Sequence, residues 1–131
     1  MAHELSTLTT GGKFFEGPRW HDGAWWVSDV YRHGVFTIAP DGTETQVLEV
    51  DTQPSGLGWL PDGRLLVVSM KDQRVLRQET DGTLVTHADL SGLITGMAND
   101  MVVDDNGRAW VGGFGFDLMG GETPVASPLI R

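Results

Sequence analysis

Apolar and polar residues alternate in short runs along most of the chain, and glycine-containing turns separate these runs. The runs "AWWVSD" and "RLLVVS" each follow an Asp-Gly pair, at Asp22-Gly23 and Asp62-Gly63. Such a pair between apolar runs is a strong signal for a β-hairpin, because a tight two-residue loop needs a positive φ that Gly tolerates and Asp can adopt. No long window shows the 3.6-residue period of a helix, so the pattern predicts an all-β protein.

The turns recur with a fixed spacing. Gly23 and Gly63 lie 40 residues apart, Gly42 and Gly82 lie 40 residues apart, and Gly107 follows Gly63 by 44 residues. Each repeat therefore holds two hairpins, and four strands of about five residues in a unit of about 40 residues are typical of a β-propeller blade. A single β-sandwich or barrel of about ten strands is the alternative fold. The paired 40-residue period favours blades.

The repeats define a predicted domain organisation. We expect a single partial β-propeller domain over residues 1–131, with blade-like repeats of four antiparallel strands at about 14–53, 54–95 and 96–131. Short runs such as "GLGWL" and "NDMVVD" are the predicted innermost strands. A propeller needs at least about four blades to close its ring, so about three blades form an incomplete propeller. The final "PLIR" resembles the start of a further strand.

Composition and charge narrow the range of partners and chemistries. The formal net charge of −9 argues against binding to nucleic acid or to an anionic membrane, since both need clustered Lys and Arg. The chain has no cysteine, which excludes disulfides, zinc-thiolate sites and thiol nucleophiles. No stretch approaches the ~20 apolar residues of a membrane span, and "MAHELSTLTTGG" lacks the apolar segment of a secretory signal. We therefore expect a cytoplasmic protein.

Common catalytic motifs are absent from the sequence. There is no Gly-x-Ser-x-Gly nucleophile turn, no phosphate-binding Gly-rich loop and no His-Glu-x-x-His pair. The histidines His3, His21, His33 and His87 lack the spacing of metal ligands, so we interpret them as incidental. We interpret the aspartates of the Asp-Gly pairs as turn formers.

Glu16 in "FFEGPRW" departs from the repeat. Counting 40 residues onward leads to Gly56, so the carboxylate is particular to the first repeat. The start of an innermost strand lines the mouth of the central tunnel, where side chains from several blades converge. Glu16 is therefore a candidate ligand for a hard metal ion. The alternative is an ion pair between Glu16 and Arg19 at the rim.

A second departure is Asn99-Asp100 in "GMANDMVVD", at the corresponding start of the third repeat. Asparagine offers a carbonyl oxygen and an amide donor, which suit the hydroxyls of a polyol or an oxygen coordination shell. The alternative is an Asx-turn in which Asp100 caps the start of the strand. The sequence leaves both interpretations open.

The segments "FFEGPRW", "WWVSD", "PSGLGWLPDGRLLVVS" and "NDMVVDDNGRAWVGGFGFD" together resemble the senescence-marker-protein/gluconolactonase family of sugar-lactone lactonases, which includes regucalcin. The resemblance covers about residues 12 to 120. It implies the N-terminal half of a six-bladed propeller that hydrolyses a small-molecule lactone at a divalent metal ion, Ca, Zn, Mn or Mg, in the tunnel mouth.

By this resemblance Glu16 matches the first metal ligand of the family and Asn99 matches its substrate-contacting asparagine, with Asp100 beside them on the substrate side. The family's other metal ligands, including the aspartate that acts as catalytic acid and base, have no counterpart here, so no catalytic residue is expected in this chain. Met97 stands where many members have a substrate-contacting arginine. This difference leaves room for a less hydroxylated lactone or an ester.

Three functional hypotheses follow. The first is a fragment of a metal-dependent lactonase or esterase that is inactive alone and binds metal weakly. The second is a non-catalytic propeller segment used for binding or assembly. The third is self-association, in which two halves close one ring through exposed strands.

Overall fold

The computed structural model describes residues 3–131 and contains three antiparallel sheets. The all-β prediction is confirmed. The first sheet has the order β1 (Phe15–His21), β2 (Ala24–Asp29), β3 (Gly34–Ile38) and β4 (Glu44–Glu49). The second has the order β5 (Pro54–Trp59), β6 (Leu65–Ser69), β7 (Arg74–Gln78) and β8 (Leu84–Asp89). The third pairs β9 (Ala98–Val103) with β10 (Ala109–Gly113).

The segment that ends the chain adds to the third sheet. Ile130 and Val111 exchange two backbone hydrogen bonds, of 2.8 and 2.9 Å. The "PLIR" segment thus begins to pair along β10. The extent of the domain and the three repeat boundaries stay predictions. Within residues 3–131, no helix is long and apolar enough to cross a bilayer.

The hairpin loops differ from the predicted two-residue form. Among the hairpin loops of residues 3–131, only Asp22-Gly23 has this form, with φ values of 48° and 77°. At Asp62-Gly63 the N–H of Gly63 donates to Leu60 O and the N–H of Leu60 donates to Arg64 O, so the loop has three residues and Gly63 takes φ 87°. The loops that contain Gly42, Gly82 and Gly107 close in the same way. A turn followed by a left-handed glycine is the usual three-residue solution, and the Asp-Gly pair serves both loop lengths.

The aspartates of these loops are turn formers, as predicted. Asp41, Asp62 and Asp81 each accept a hydrogen bond from the backbone N–H two residues ahead, at 2.9 to 3.1 Å. Side-chain hydrogen bonds, from Arg64 to Asp62 and from Thr83 to Asp81, are the main cause of the lowered pKa of these two groups, and the backbone bond from Thr43 is the main cause of the lowered pKa of Asp41. The charged carboxylates of these aspartates therefore stabilise the loops.

Strand β6 lies at the centre of the core, and all five of its residues are buried. Leu65 and Val67 join the apolar cluster shared with the first sheet, whereas Leu66 and Val68 join the cluster shared with the third sheet. Alternate residues of a strand point to opposite faces. A strand packed on both faces must therefore be apolar at every position, which explains the uninterrupted run in the sequence.

The inner strands β5 and β9 approach each other closely because β5 carries glycines. A Cβ atom at Gly56 would lie 2.3 Å from Met101 N, and one at Gly58 would lie 2.4 Å from Val103 Cγ2. Side chains at these two positions would force the strands apart. The glycines therefore bring the start of β9 next to the start of β5.

Candidate functional site

The three innermost strands, β1, β5 and β9, are irregular at corresponding ends. The pairing register shifts between Glu16 and Arg19 in β1 and between Pro54 and Leu57 in β5. A third shift lies in β9 opposite Val111 and Gly113. Bulges of this kind re-aim side chains and are common beside active sites. We call the starts of these three strands the tunnel mouth.

Strand pairing defines which residues are equivalent at the tunnel mouth. The last residue of each second strand pairs with one residue of the inner strand: Asp29 with Phe15, Ser69 with Pro54, and Gly113 with Ala98. The next residue of each inner strand is Glu16, Ser55 or Asn99. Glu16, Ser55 and Asn99 thus occupy equivalent positions. Counting 40 residues from Glu16 pointed to Gly56, and this was wrong by one residue. The β1–β2 loop has two residues and the β5–β6 loop has three, so residues of the inner strands lie 39 rather than 40 residues apart.

The backbone around Glu16 is fixed on both sides. The buried carboxylate of Asp29 accepts hydrogen bonds from the N–H groups of Lys13, at 2.8 Å, and Phe14, at 3.1 Å. Gly17 follows with φ 57°, and a Cβ atom there would lie 3.1 Å from Ser55 O. Within residues 3–131 the half-buried Glu16 side chain makes no hydrogen bond or ion pair. The backbone that carries Glu16 is therefore fixed, while its carboxylate has no partner among the described residues.

The alternative ion pair between Glu16 and Arg19 is wrong. Arg19 Nη2 lies 2.8 Å from Asp100 Oδ1 and donates to Met101 O at 2.6 Å. Arg19 thus connects the first sheet directly to the third. This contact is possible because the glycine-containing β5 leaves the two neighbouring inner strands within reach of each other.

A short series of hydrogen bonds leads to Asn99. Ser28 Oγ donates to Ser55 O at 2.5 Å, and Ser55 Oγ donates to Asn99 Oδ1 at 2.9 Å. Both serines are fully buried. The bond from Ser55 orients the amide of Asn99 through Oδ1, and Nδ2 donates to no group within residues 3–131, so Nδ2 is the group of Asn99 that can donate to a ligand.

Asp100 is engaged in the protein's own structure. Its Oδ1 accepts hydrogen bonds from Arg19 and from the backbone N–H of Met101, each at 2.8 Å. The side chain therefore turns back on its own strand, as the capping interpretation expects. More than half of it remains exposed. A contact between Asp100 and a substrate stays a prediction.

The described residues do not fit a complete metal centre. Within residues 3–131 no group of three or more His, Cys, Asp or Glu side chains is arranged to hold an ion. Glu16 provides one unengaged carboxylate, whereas calcium takes six to eight oxygen ligands. These residues alone therefore do not form a site for metal-dependent chemistry.

A cavity of about 600 Å³ lies next to Met97, two residues before Asn99. Gln53, Lys71, Gln73, Phe116 and Asp117 contribute to its walls. The sequence singled out Met97 among these residues and missed the others. Gln53 lies between β4 and β5, Lys71 and Gln73 lie between β6 and β7, and Phe116 and Asp117 follow β10, so no local pattern indicates that they share a cavity.

The comparison with family models identifies one match. A model described as the SMP-30/gluconolactonase/LRE-like region matches residues 14–131. Comparison with curated proteins finds no significant match. The family match covers most of the chain, including all three strands of the tunnel mouth.

Solved structures share the fold. A gluconolactonase from Xanthomonas campestris superposes with a TM-score of 0.73 at 22% identity, over 94% of this chain and 44% of that chain. A putative gluconolactonase gives a TM-score of 0.70 at 22% identity, over 95% and 44%. The calcium-binding protein regucalcin from Agrobacterium tumefaciens gives 0.64 at 23% identity, over 77% and 39%.

The chain spans less than half the length of each of these structures, and its sheets match about half of such a propeller. At these identities the likeness establishes the fold, while the family model covers the sequence from Phe14 onward. The chain belongs to the SMP-30/gluconolactonase/LRE-like family.

Proposed function

We propose that this chain forms part of the tunnel mouth of a metal-dependent lactonase or esterase that acts on sugar-type or related lactones, and that the 131 residues are inactive on their own. The observation that carries the proposal is the equivalence of Glu16, Ser55 and Asn99 at the starts of three inner strands. This arrangement brings an unengaged carboxylate and an oriented amide to one end of the sheets.

The family supplies the class of reaction. The Xanthomonas relative is described as a gluconolactonase and the Agrobacterium relative as a calcium-binding regucalcin. In our proposal Glu16 is one ligand of a divalent ion, Ca, Zn, Mn or Mg, and Asn99 Nδ2 donates to an oxygen of the lactone. Asp100 holds Arg19 and thereby fixes the substrate side of the mouth. A cytoplasmic location stays a prediction.

Metal titration and activity assays test this proposal on the 131-residue chain. We expect no lactone hydrolysis with any of the four metals. Calorimetry should show no tight one-to-one site, because one carboxylate cannot replace a multi-oxygen shell. Terbium luminescence should detect only weak binding, with a Kd above about 10⁻⁴ M, and Glu16→Gln should weaken it further.

Glu49→Gln is the control for the terbium measurement, since it removes an exposed carboxylate from the outer strand β4. It should leave the affinity attributed to Glu16 unchanged. A tight calcium or zinc site, or equal effects of the two substitutions, would contradict the assignment of Glu16.

The second candidate is a non-catalytic segment used for binding or assembly. Trp20 and Trp25 favour it, because their rings form an edge-to-face pair at 5.2 Å that remains 54% and 41% exposed. Exposed aromatic pairs are typical of surfaces that another protein covers. In this reading the partner is a second copy of the chain.

A further inference from the structure

The first sheet leaves part of one face uncovered. Trp26 packs against the apolar cluster that the first sheet shares with the second. Alternate residues of a strand point to opposite faces, so Trp25 lies on the other face, away from the second sheet. Trp20 pairs directly with Trp25 and therefore lies on the same face. We call this face, with its exposed Trp20 and Trp25, the leading face.

The third sheet is uncovered on the opposite side of the molecule. Met101 and Val111 belong to the cluster shared with the second sheet, whereas their neighbours Val102 and Trp110 lie on the other face. Val102 and Trp110 pair with each other, and with Leu129 they line a cavity of about 420 Å³. We call this the trailing face. The three sheets thus expose one apolar face on each side.

The leading face has an equivalent inside the molecule. In the second sheet, Trp59 pairs with Leu65 as Trp20 pairs with Trp25 in the first. Leu65 is buried in the cluster shared with the first sheet, and the Trp59 ring packs edge-to-face on Trp26 at 5.4 Å between ring centroids. Trp20 and Trp25 therefore belong to a kind of face that packs on a preceding sheet.

The trailing face has the matching equivalent. Trp110 and Trp26 each lie three residues before the last residue of the second strand in their sheet. Trp26 is the residue on which Trp59 packs, so Trp110 offers the same surface to a following sheet. Trp20 and Trp110 thus correspond to Trp59 and Trp26, a pair that is already in contact within the chain.

The uncovered areas of the two faces also match in extent. On β3 the leading face is covered, because Phe36 is buried under the guanidinium of Arg32, which lies 3.7 Å from the centre of its ring. Arg32 is held there by Gly11 O, at 3.0 Å, in the segment before β1. The exposed tryptophans lie on β1 and β2, and the trailing face lies on the equivalent strands β9 and β10.

We propose that the trailing face of one chain binds the leading face of a second copy, with Trp110 against Trp20 of that copy. The three sheets match about half of a propeller, so two copies can use both pairs of faces at once and close one ring. The inference rests on the second candidate of the proposed function, in which the partner is a second copy. The closed pair brings a second Glu16 to the same tunnel mouth.

Sedimentation equilibrium of the 131-residue chain in EDTA tests the proposal. We expect the mass to rise with concentration and to stop at twice the 14.2 kDa of one chain. Val102→Gln should raise the Kd of the pair at least about tenfold, because each closed pair buries this side chain twice. Val102 is exposed in the single chain, so this variant should keep its Tm.

Leu93→Gln is the matched control for Val102→Gln. The two side chains are 59% and 56% exposed, but Leu93 follows β8 and lies outside both faces. Its substitution should leave the Kd of the pair unchanged.

An equimolar mixture of Trp20→Gln and Val102→Gln chains tests whether unlike faces meet. A mixed pair has one contact that carries both substitutions and one contact that carries neither. Because the intact contact holds the mixed pair, the mixture should reach a higher mean mass than either variant alone at the same total concentration.

The proposal is overturned if the chain stays monomeric, if it grows beyond two copies, if Val102→Gln associates as tightly as the control, or if mixing gives no gain in mass. An effect of Trp20→Gln without one of Val102→Gln would mean that like faces meet, which also overturns it. These measurements need no metal. Their failure would therefore be separate from failure of the Glu16 titration, which tests the proposed lactonase function.

Discussion

Ser55 shows how a single buried hydroxyl orients the tunnel mouth. It is fully buried, it accepts a hydrogen bond at its backbone oxygen from Ser28, and its own hydroxyl donates to Asn99. Comparison of the 40-residue repeats reveals residues that differ from the repeat pattern. A serine at the start of a strand does not differ from that pattern. Glu16 and Asn99 could be found in the sequence for this reason, whereas Ser55 could not.

Ser55→Ala should lower the free energy of unfolding by about 1 kcal/mol, since it leaves Asn99 Oδ1 without its donor. The side-chain amide signals of Asn99 should shift as its orientation is released. Urea denaturation and ¹⁵N spectra measure the two effects. Ser91→Ala at an exposed loop position is the control and should change stability by less than about 0.5 kcal/mol. Equal effects of the two substitutions would show that the hydrogen bond to Asn99 is unimportant.

Asp104 should make the chain sensitive to acid. Its carboxylate accepts hydrogen bonds from the N–H groups of Arg108 and Asn106 and from Arg108 Nε, and these lower its pKa from 3.8 to about 2. Because the folded-state pKa lies below the unfolded value, the stabilisation is complete above about pH 4. It is lost as the pH falls through about 2.

Tm measurements between pH 7 and pH 2 check the role of Asp104. Asp104→Asn should lower the Tm at pH 7 and should show a smaller fall in Tm toward pH 2 than the unsubstituted chain. Asp105→Asn is the control, because the Asp105 carboxylate accepts no hydrogen bond within residues 3–131. If both variants follow the same pH profile, the loop bonds of Asp104 do not contribute to stability.

Strand β5 determines how closely the three inner strands approach one another. Its glycines allow β9 to approach, and this approach lets Arg19 of β1 reach Asp100 of β9. The 40-residue repeat could be predicted because loop glycines and aspartates act locally. The contact between β5 and β9 could not be, because it depends on the absence of a side chain opposite a distant backbone atom.

Gly56→Ala tests this packing. The new Cβ would lie 2.3 Å from Met101 N, so the backbone of one strand must move. We expect a loss of about 1 to 3 kcal/mol in the free energy of unfolding, as for other overpacked sites. Gly92→Ala, where no atom lies within 4 Å and φ is not positive, should be close to neutral. Urea denaturation of both variants measures the free energy of unfolding. If Gly56→Ala leaves it unchanged, the close approach of the strands is contradicted.

The whole molecule combines a net charge of −9 with a localised aromatic surface at Trp20 and Trp25. The charge favours solubility, and the aromatic pair favours association. Both rings lie at the β1–β2 hairpin, so one substituted position can weaken this surface without affecting the tunnel mouth.

The 131-residue chain should therefore associate with itself in a concentration-dependent way. Light scattering after size-exclusion chromatography measures the mass, and Trp20→Gln should lower the associated fraction because it removes half of the aromatic pair. Leu5→Gln is the control, since Leu5 is a single apolar residue that is 92% exposed. A mass that stays monomeric at all concentrations, or an equal effect of Leu5→Gln, would contradict this prediction.

The sequence by itself determined the all-β class, the hairpin repeat and the two departures at Glu16 and Asn99. The class and the hairpin repeat follow from local chemistry, because the conformation of a turn depends on adjacent residues. The two departures could be found because one copy of the repeat differs there from the others. Tertiary structure decided the pairing of Arg19 with Asp100, the equivalence of Ser55 with Glu16, and the cavity around Gln53. Each of these depends on strand register and on contacts between residues far apart in the chain, which turn spacing does not fix.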